Sequence, residues 1–126
     1  MKILLIAGGW SSEREVSLTG ARGMQEALLK RGHAVTFFDL LENFDELLET
    51  ARQHDFALIN LHGSPGEDGL VQAMLEKAGC PYQGSGPSGS FLALNKAAAK
   101  QIFRMAGLPT ADWEFLPVRP AEGWEP

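Results

Sequence analysis

The chain has one cysteine in 126 residues, Cys80, so no internal disulfide can brace the fold, a pattern that fits a reducing cytoplasm. Cys80 stands before Pro81 in a turn and reads as a small buried hydrophobe. Long apolar runs are missing, and the runs present are far too short to span a bilayer. Met1 and Lys2 lead straight into an apolar segment, without the separate h-region and cleavage site of a secretory signal. Basic clusters are missing too. Sixteen acids against eleven bases leave a net charge of −5, which argues against a nucleic-acid surface. The standard chemical fingerprints do not occur. Gly8-Gly9-Trp10-Ser11-Ser12 is not G-x-G-x-x-G, and there is no G-x-x-x-x-G-K-[ST]. No Cys/His cluster has zinc spacing, so no metal ligand is assigned. Gly84-Ser85-Gly86 is too short for a G-x-S-x-G nucleophile elbow. A nucleophilic Ser88 or Ser90 would have only His62 to serve as its base.

What is present is an alternation of two periodicities. Apolar content of 44% with 21% charged residues is ordinary for one globular domain with one core. Residues 3–7 and 56–61 read as buried strands, 34–39 as another strand between them, 81–84 as a short fourth strand and 112–116 as a fifth. Between them lie helical patterns. One runs from the Ser12–Glu15 capping box to about Arg31, with Val16, Met24, Ala27 and Leu28 inward and Gly32 as its stop. A second covers 44–53 with Phe44, Leu47, Leu48 and Ala51 on one side. A third carries Leu70, Val71, Met74, Leu75 and Ala78 on one face. The last has Leu92, Ala98, Ala99, Ile102, Phe103 and Ala106 as its buried face and ends at Gly107-Leu108-Pro109. Such alternation predicts an open, doubly wound α/β domain, a mainly parallel sheet with helices on both faces. Residues 1–116 form the expected domain, and the proline-bearing stretch 117–126 reads as a linker.

The sheet offers three Gly/Ser-rich loops at its strand ends: 8–12, 62–68 and 84–90. Their backbone N–H groups can approach a ligand closely, and the first two feed helix N-termini that favour anions. Each of those two helix starts also carries acid, Glu13 in one and Glu67 with Asp68 in the other. Donors beside a carboxylate suit a zwitterion, whose carboxylate takes the donors and whose ammonium takes the acid. The capping box employs Glu15 and leaves Glu13 without a local task. The same acids can simply satisfy helix dipoles. His62, at the carboxyl end of the third strand, sits where open sheets place ligands, or it merely closes a turn. Lys96, early in the last helix, is of a kind that is ordinarily solvated.

These residues resemble a family. Gly8-Gly9-Trp10-Ser11-Ser12-Glu13-Arg14-Glu15-Val16-Ser17 is similar to the first signature of the D-alanine–D-alanine ligases. Leu61-His62-Gly63 with Gly66-Glu67-Asp68-Gly69 resembles the second. Tyr82 with Gly84-Ser85-Gly86, Ser90 and Asn95-Lys96 resembles the third, with Asn95 where the family commonly has aspartate. Order and spacing both fit, nearly to Leu116. The resemblance implies a Rossmann-like domain that precedes an ATP-grasp part. It implies a cytoplasmic ligase that joins two D-alanines through an acyl phosphate for peptidoglycan precursors, with ATP and Mg2+ (or Mn2+) as cofactors and a homodimer as its assembly. By that resemblance Glu13 holds the ammonium of the first D-alanine, and His62 lies beside the reacting carboxylate. Gly9 and Ser12 belong to the substrate site, and Lys96 reaches toward ATP phosphates. The family is about three such domains long, so the metal ligands and adenine pocket are expected outside this chain, which is expected to be inactive alone. Two other readings stay open. One is a free-standing small-ligand binding module of the same fold. The other, compatible with either, is an interaction domain that dimerises through a sheet edge or helix.

Overall fold

The central strand explains the rest of the layout. In the computed structural model, which describes residues 1–116 and 118, strand β1 (Lys2–Ala7) is apolar and buried from Ile3 onward, as a strand flanked on both edges and covered on both faces must be. Strands β2 (Ala34–Asp39) and β3 (Phe56–Asn60) pair with it in parallel, one on each edge, in the order β2-β1-β3. The chain passes from β1 out to β2 and back across to β3. The order therefore reverses at β1, and a ligand crevice is expected beyond the strand ends at such a switch point.

Side chains of β1 alternate between two cores, as the pleat requires. Leu5 and Ala7 meet Ala21 of helix α1 (Arg14–Lys30), with Leu18, Val35 and Leu58 around them. Leu4 and Ile6 enter the larger core with Phe38, Leu40, Leu47, Ala51, Val71, Leu75 and Cys80. Helices α2 (Leu40–Asn43), α3 (Leu47–Ala51) and α4 (Leu70–Ala78) supply that side. Helices thus cover both faces, in agreement with the α/β reading. No helix among the described residues is long and apolar enough to cross a membrane.

Local expectations fail in instructive places. Helix α1 is rotated from the predicted face: Ser17 and Ala21 are buried, whereas Val16 is 61% and Met24 38% exposed and Ala27 is exposed. Small side chains let α1 lie close to the sheet, and Ser17 buries a hydroxyl because that hydroxyl has two partners, described below. The Ser12–Glu15 capping box does not form. The helix begins after Glu13, and Ser11 Oγ accepts the Glu13 N–H at 3.2 Å, so the turn is made one residue earlier. The 44–53 helix is replaced by α2, a 3-10 turn over Phe44–Glu46 and α3. The chain turns helical directly after β2 because the Asp39 carboxylate caps α2, accepting from Leu41 N–H at 3.1 Å.

The fourth strand shrinks to one parallel bridge, Tyr82 to Ala57. The Gln83 side chain takes its place, its Oε1 accepting from Ile59 N–H at 3.0 Å and its Nε2 donating to Ile59 O at 2.6 Å. A side-chain amide thereby satisfies the open edge of β3. The last predicted helix is two, α5 (Pro87–Leu94) and α6 (Lys96–Met105), broken at Asn95, whose side chain caps Ala98 N–H at 3.1 Å. Its predicted core face is not buried. Leu92, Ile102 and Phe103 are about 40% exposed and line a 240 Å³ cleft between α5 and α6. The Gly107 stop is as expected, with Gly107 N–H on Arg104 O and Leu108 N–H on Phe103 O, a Schellman pattern. The described residues of 112–116 form no strand. The expected linker, 117–126, lies outside the described residues except for Val118.

Candidate functional site

Register sets the site. Ala7 lies level with Asp39 of β2 and with Asn60 of β3, so the chain leaving β1 starts between two polar residues, and both hold it. On the β2 side, Arg14 Nη1 donates to Asp39 Oδ1 at 2.7 Å and Nη2 to Oδ2 at 2.6 Å. Nη1 also reaches Gly9 O at 3.3 Å. A Cβ on Gly8 would lie 2.6 Å from Asp39 Oδ1, so the ion pair packs directly on the glycine backbone. On the β3 side, buried Ser17 accepts the Gly8 N–H at 2.8 Å and donates to Asn60 O. Asn60 Nδ2 donates to Ser17 O at 2.7 Å. Replacing Ser17 with alanine orphans a buried N–H. It is expected to cost about 1–3 kcal/mol, seen as a lower denaturation midpoint in urea.

The Arg14 guanidinium holds the Asp39 carboxyl below the usual carboxylate range, and Asp39 in turn raises Arg14. A carboxyl lowered on folding adds stability that is fully present above its unfolded pKa of about 4 and is lost as pH falls through the lower folded value. Asp39→Asn is therefore expected to be less stable than the wild type at neutral pH. The gap should close below about pH 4, a convergence that thermal unfolding across a pH series will show.

Glu13 is the N-cap residue of α1. Its carbonyl accepts the Ser17 N–H at 3.0 Å, and its side chain is exposed and makes no capping bond. Glu13, Ser17 and Gly20 are spaced i, i+4 and i+7 and share one helix face. Ser17 and Gly20 both meet Asn60, a Cβ on Gly20 lying 3.1 Å from Asn60 Nδ2. That face looks to β3, and half-buried His62 follows Asn60 by two residues. Arg14, about 100° further round the helix, serves β2. Neither Glu13 nor His62 uses its side chain in a hydrogen bond or ion pair with the described residues.

The loops themselves touch. A Cβ on Gly9 would lie 3.3 Å from Leu61 Cδ2 and 3.6 Å from Pro65 Cδ, and one on Gly63 3.5 Å from Ser11 Cβ. Sequence reasoning expected free N–H donors along the first loop, and the count is smaller than the residue types suggest. Gly8 gives its N–H to Ser17, Glu13 to Ser11 Oγ and Arg14 to Ser11 O. Buried Gly9 and exposed Ser12 keep theirs among the described residues.

In the second loop, Asp68 has a structural task. Its carboxylate accepts from Leu70 N–H at 3.0 Å and from Ser64 Oγ. Gln72, 6% exposed, donates to Gly66 O at 2.6 Å. Glu67 stays exposed. Exposed Lys96, at the start of α6, shares a 300 Å³ cavity with Glu67, Gln72, Ser85 and Ser90, and Glu13 and His62 do not line it. The third loop leans on the second, since a Cβ on Gly69 would overlap Pro87 O. Among the described residues no three His, Cys, Asp or Glu side chains stand close enough to hold a metal ion. Burial raises the Cys80 thiol pKa, which disfavours the thiolate form.

Sequence reasoning gave Arg14, Asp39, Ser17, Asn60 and Gln72 no role of their own. Arg14 and Ser17 stand inside the first signature and Asp39 and Asn60 are polar residues at the ends of apolar strands, but their pairing needs the sheet register.

No protein-family model matches the chain. It is 76% identical over all 126 residues to a D-alanine–D-alanine ligase of Desulfovibrio desulfuricans, of which it covers 41%. Against the corresponding ligase of Nitratidesulfovibrio vulgaris the identity is 70%, with 42% of that protein covered. The crystal structure of the Bacillus anthracis ligase matches 90% of the chain at a TM-score of 0.82 and 42% identity, covering 37% of that structure. Its complex with ATP matches 98% at 0.84 and 38% identity, covering 42%. The chain thus spans about two-fifths of the length of the curated relatives it matches.

Proposed function

By sequence and by fold this chain belongs to the D-alanine–D-alanine ligase family, and on that premise we propose that it is the N-terminal substrate-binding part of an ATP-dependent enzyme joining two D-alanines. Residues 1–116 serve as the binding domain and 117–126 as the link to the ATP-grasp part. The observation that carries the reading is the junction of the first two loops. Parallel pairing of β1 with β3 brings them together, and Glu13 directly after the first loop and His62 in the second have no side-chain partner among the described residues.

The first D-alanine is a zwitterion. Glu13 takes its ammonium, and the N–H groups of Gly9 and Ser12 face its carboxylate. His62 orients that carboxylate and steadies the negative charge shared between its oxygens and the phosphoryl group as that group is transferred to it. The amine of the second D-alanine then attacks the acyl carbon, inorganic phosphate leaves, and the amine gives up a proton. Lys96 contacts ATP phosphates from the cavity wall, a task its free ammonium suits. When bound, ATP supplies the phosphoryl group. The reading assigns magnesium or manganese to the remainder of the ligase. The same reading makes the complete enzyme a cytoplasmic homodimer in peptidoglycan precursor synthesis.

The test is D-alanine-dependent ADP release by a full-length ligase that contains this chain. Release that requires D-alanine supports the reading, and ATP turnover indifferent to D-alanine overturns it.

A further inference from the structure

The loop that carries Glu13 is anchored on two sides, and the two anchors differ in kind. On the β3 side the bonds run from Ser17, within the body of α1, to Gly8 before it and to Asn60 at the end of β3. On the β2 side the anchor is the guanidinium of Arg14, the residue next to Glu13. Glu13 gains no orientation from its own side chain, which has no partner among the described residues. Its position is inherited from the backbone on either side of it. Before it, Ser11 holds the Glu13 and Arg14 N–H groups. After it comes the Arg14 fork. Asp39, the other end of the fork, is itself held fast. It ends β2, its carboxylate accepts Leu41 N–H at 3.1 Å, and its carbonyl accepts Asn43 Nδ2 at 3.1 Å.

We infer that Arg14 and Asp39 are positioning residues that aim Glu13 at the ammonium of the first D-alanine, a role that rests on the reading of Glu13 given above. A planar two-point fork fixes rotation as well as distance. With Arg14 locked toward β2, the preceding residue is rotated by about 100° round the helix, toward β3. The third contact, Arg14 Nη1 to Gly9 O at 3.3 Å, ties the same guanidinium to the loop's beginning, so one group sets the geometry of 9–14 as a unit. Trp10 of the same loop also packs edge-on against Phe44, at 5.4 Å between ring centres, a contact without polar directionality.

The experiment is a double-mutant cycle in a full-length ligase containing this chain. Steady-state constants for the first D-alanine and for ATP are measured for the wild type, Arg14→Ala, Asp39→Asn, Glu13→Gln and the pair Glu13→Gln/Arg14→Ala. Arg14→Ala and Asp39→Asn are each expected to raise KM for the first D-alanine by about 10- to 100-fold, the effect of a displaced binding group, with KM for ATP unchanged. In the pair, Arg14→Ala should add little to the loss from Glu13→Gln, because the strut acts through that carboxylate. Arg14→Lys, which keeps the charge and loses the fork, should fall between wild type and Arg14→Ala. Losses that multiply in the pair, or a lower unfolding midpoint with unchanged KM, overturn the positioning role and leave the function standing. A wild type without D-alanine-dependent ADP release overturns the function and the strut with it. Should Arg14→Ala fail to fold, Asp39→Asn paired with Glu13→Gln carries the same cycle.

Discussion

Glu13→Gln in a full-length ligase containing this chain is expected to lower kcat/KM for the first D-alanine by about two to three orders of magnitude, while the unfolding midpoint stays where it was. Both halves follow from the same geometry. The Glu13 carboxylate is exposed and makes no capping bond, so the isosteric amide costs the fold nothing that the structure shows. What disappears is the negative charge that an ammonium needs. The loss should therefore fall mainly on KM. His62→Gln should, on its proposed role, be of similar size but fall on kcat, since a donor that orients a carboxylate for phosphoryl transfer matters most in the transition state. Steady-state kinetics with D-alanine as the varied substrate, run beside thermal unfolding, separates the outcomes. A large drop in unfolding midpoint for Glu13→Gln would make Glu13 a structural cap. Unchanged kinetics would remove it from the site.

The strands and the fold class were legible because they rest on short-range signals. The apolar runs mark β1, β2 and β3 as strands, although only β1 is buried from its second residue onward and the edge strand β2 buries Phe38 alone; Gly/Ser loops at strand ends follow from the alternation. Glu13 was reached by a premise that does not hold, since Ser12 and Glu15 form no capping box. It stands free nonetheless, because Ser11 makes the turn. The scaffold around it was not legible. Arg14 is 25 residues from Asp39 and Ser17 is 43 from Asn60, and only the register across β1 brings them together. Ser17 even counted against the predicted helix face, because a hydroxyl weighs as polar until its two buried partners are known. The apolar face over 92–106 misled in the opposite way. Its periodicity is that of a core helix, yet the described chain offers it no core, and α5 and α6 pack mainly on each other. The fourth strand was lost to one side chain, Gln83, whose amide imitates a strand neighbour.

The largest expected effect on stability belongs to Gly69→Ala. Gly69 holds φ of +93° at the start of α4, and an added Cβ would overlap Pro87 O. The obstacle is backbone from the third loop, so a change of rotamer cannot relieve it. Left-handed strain costs about 1–3 kcal/mol, and forcing an atom into a closed contact adds about 1–3 more. A total of about 2–6 kcal/mol is a large share of the 5–15 typical of a domain. Gly32 supplies the control. Its φ is +79°, but a Cβ there meets nothing within 4 Å, so Gly32→Ala should show the strain alone, about 1 kcal/mol. Urea midpoints of the two variants, compared with the wild type, isolate the contact between the second and third loops. If they coincide, the crowding at Pro87 O is not a rigid feature of the fold. If Gly69→Ala is the weaker by a wide margin, the two loops form one rigid rim that carries the His62 loop and the approach to α5 and Lys96. Lys96 should then lose its place when that rim opens, even though it lies 27 residues away in sequence.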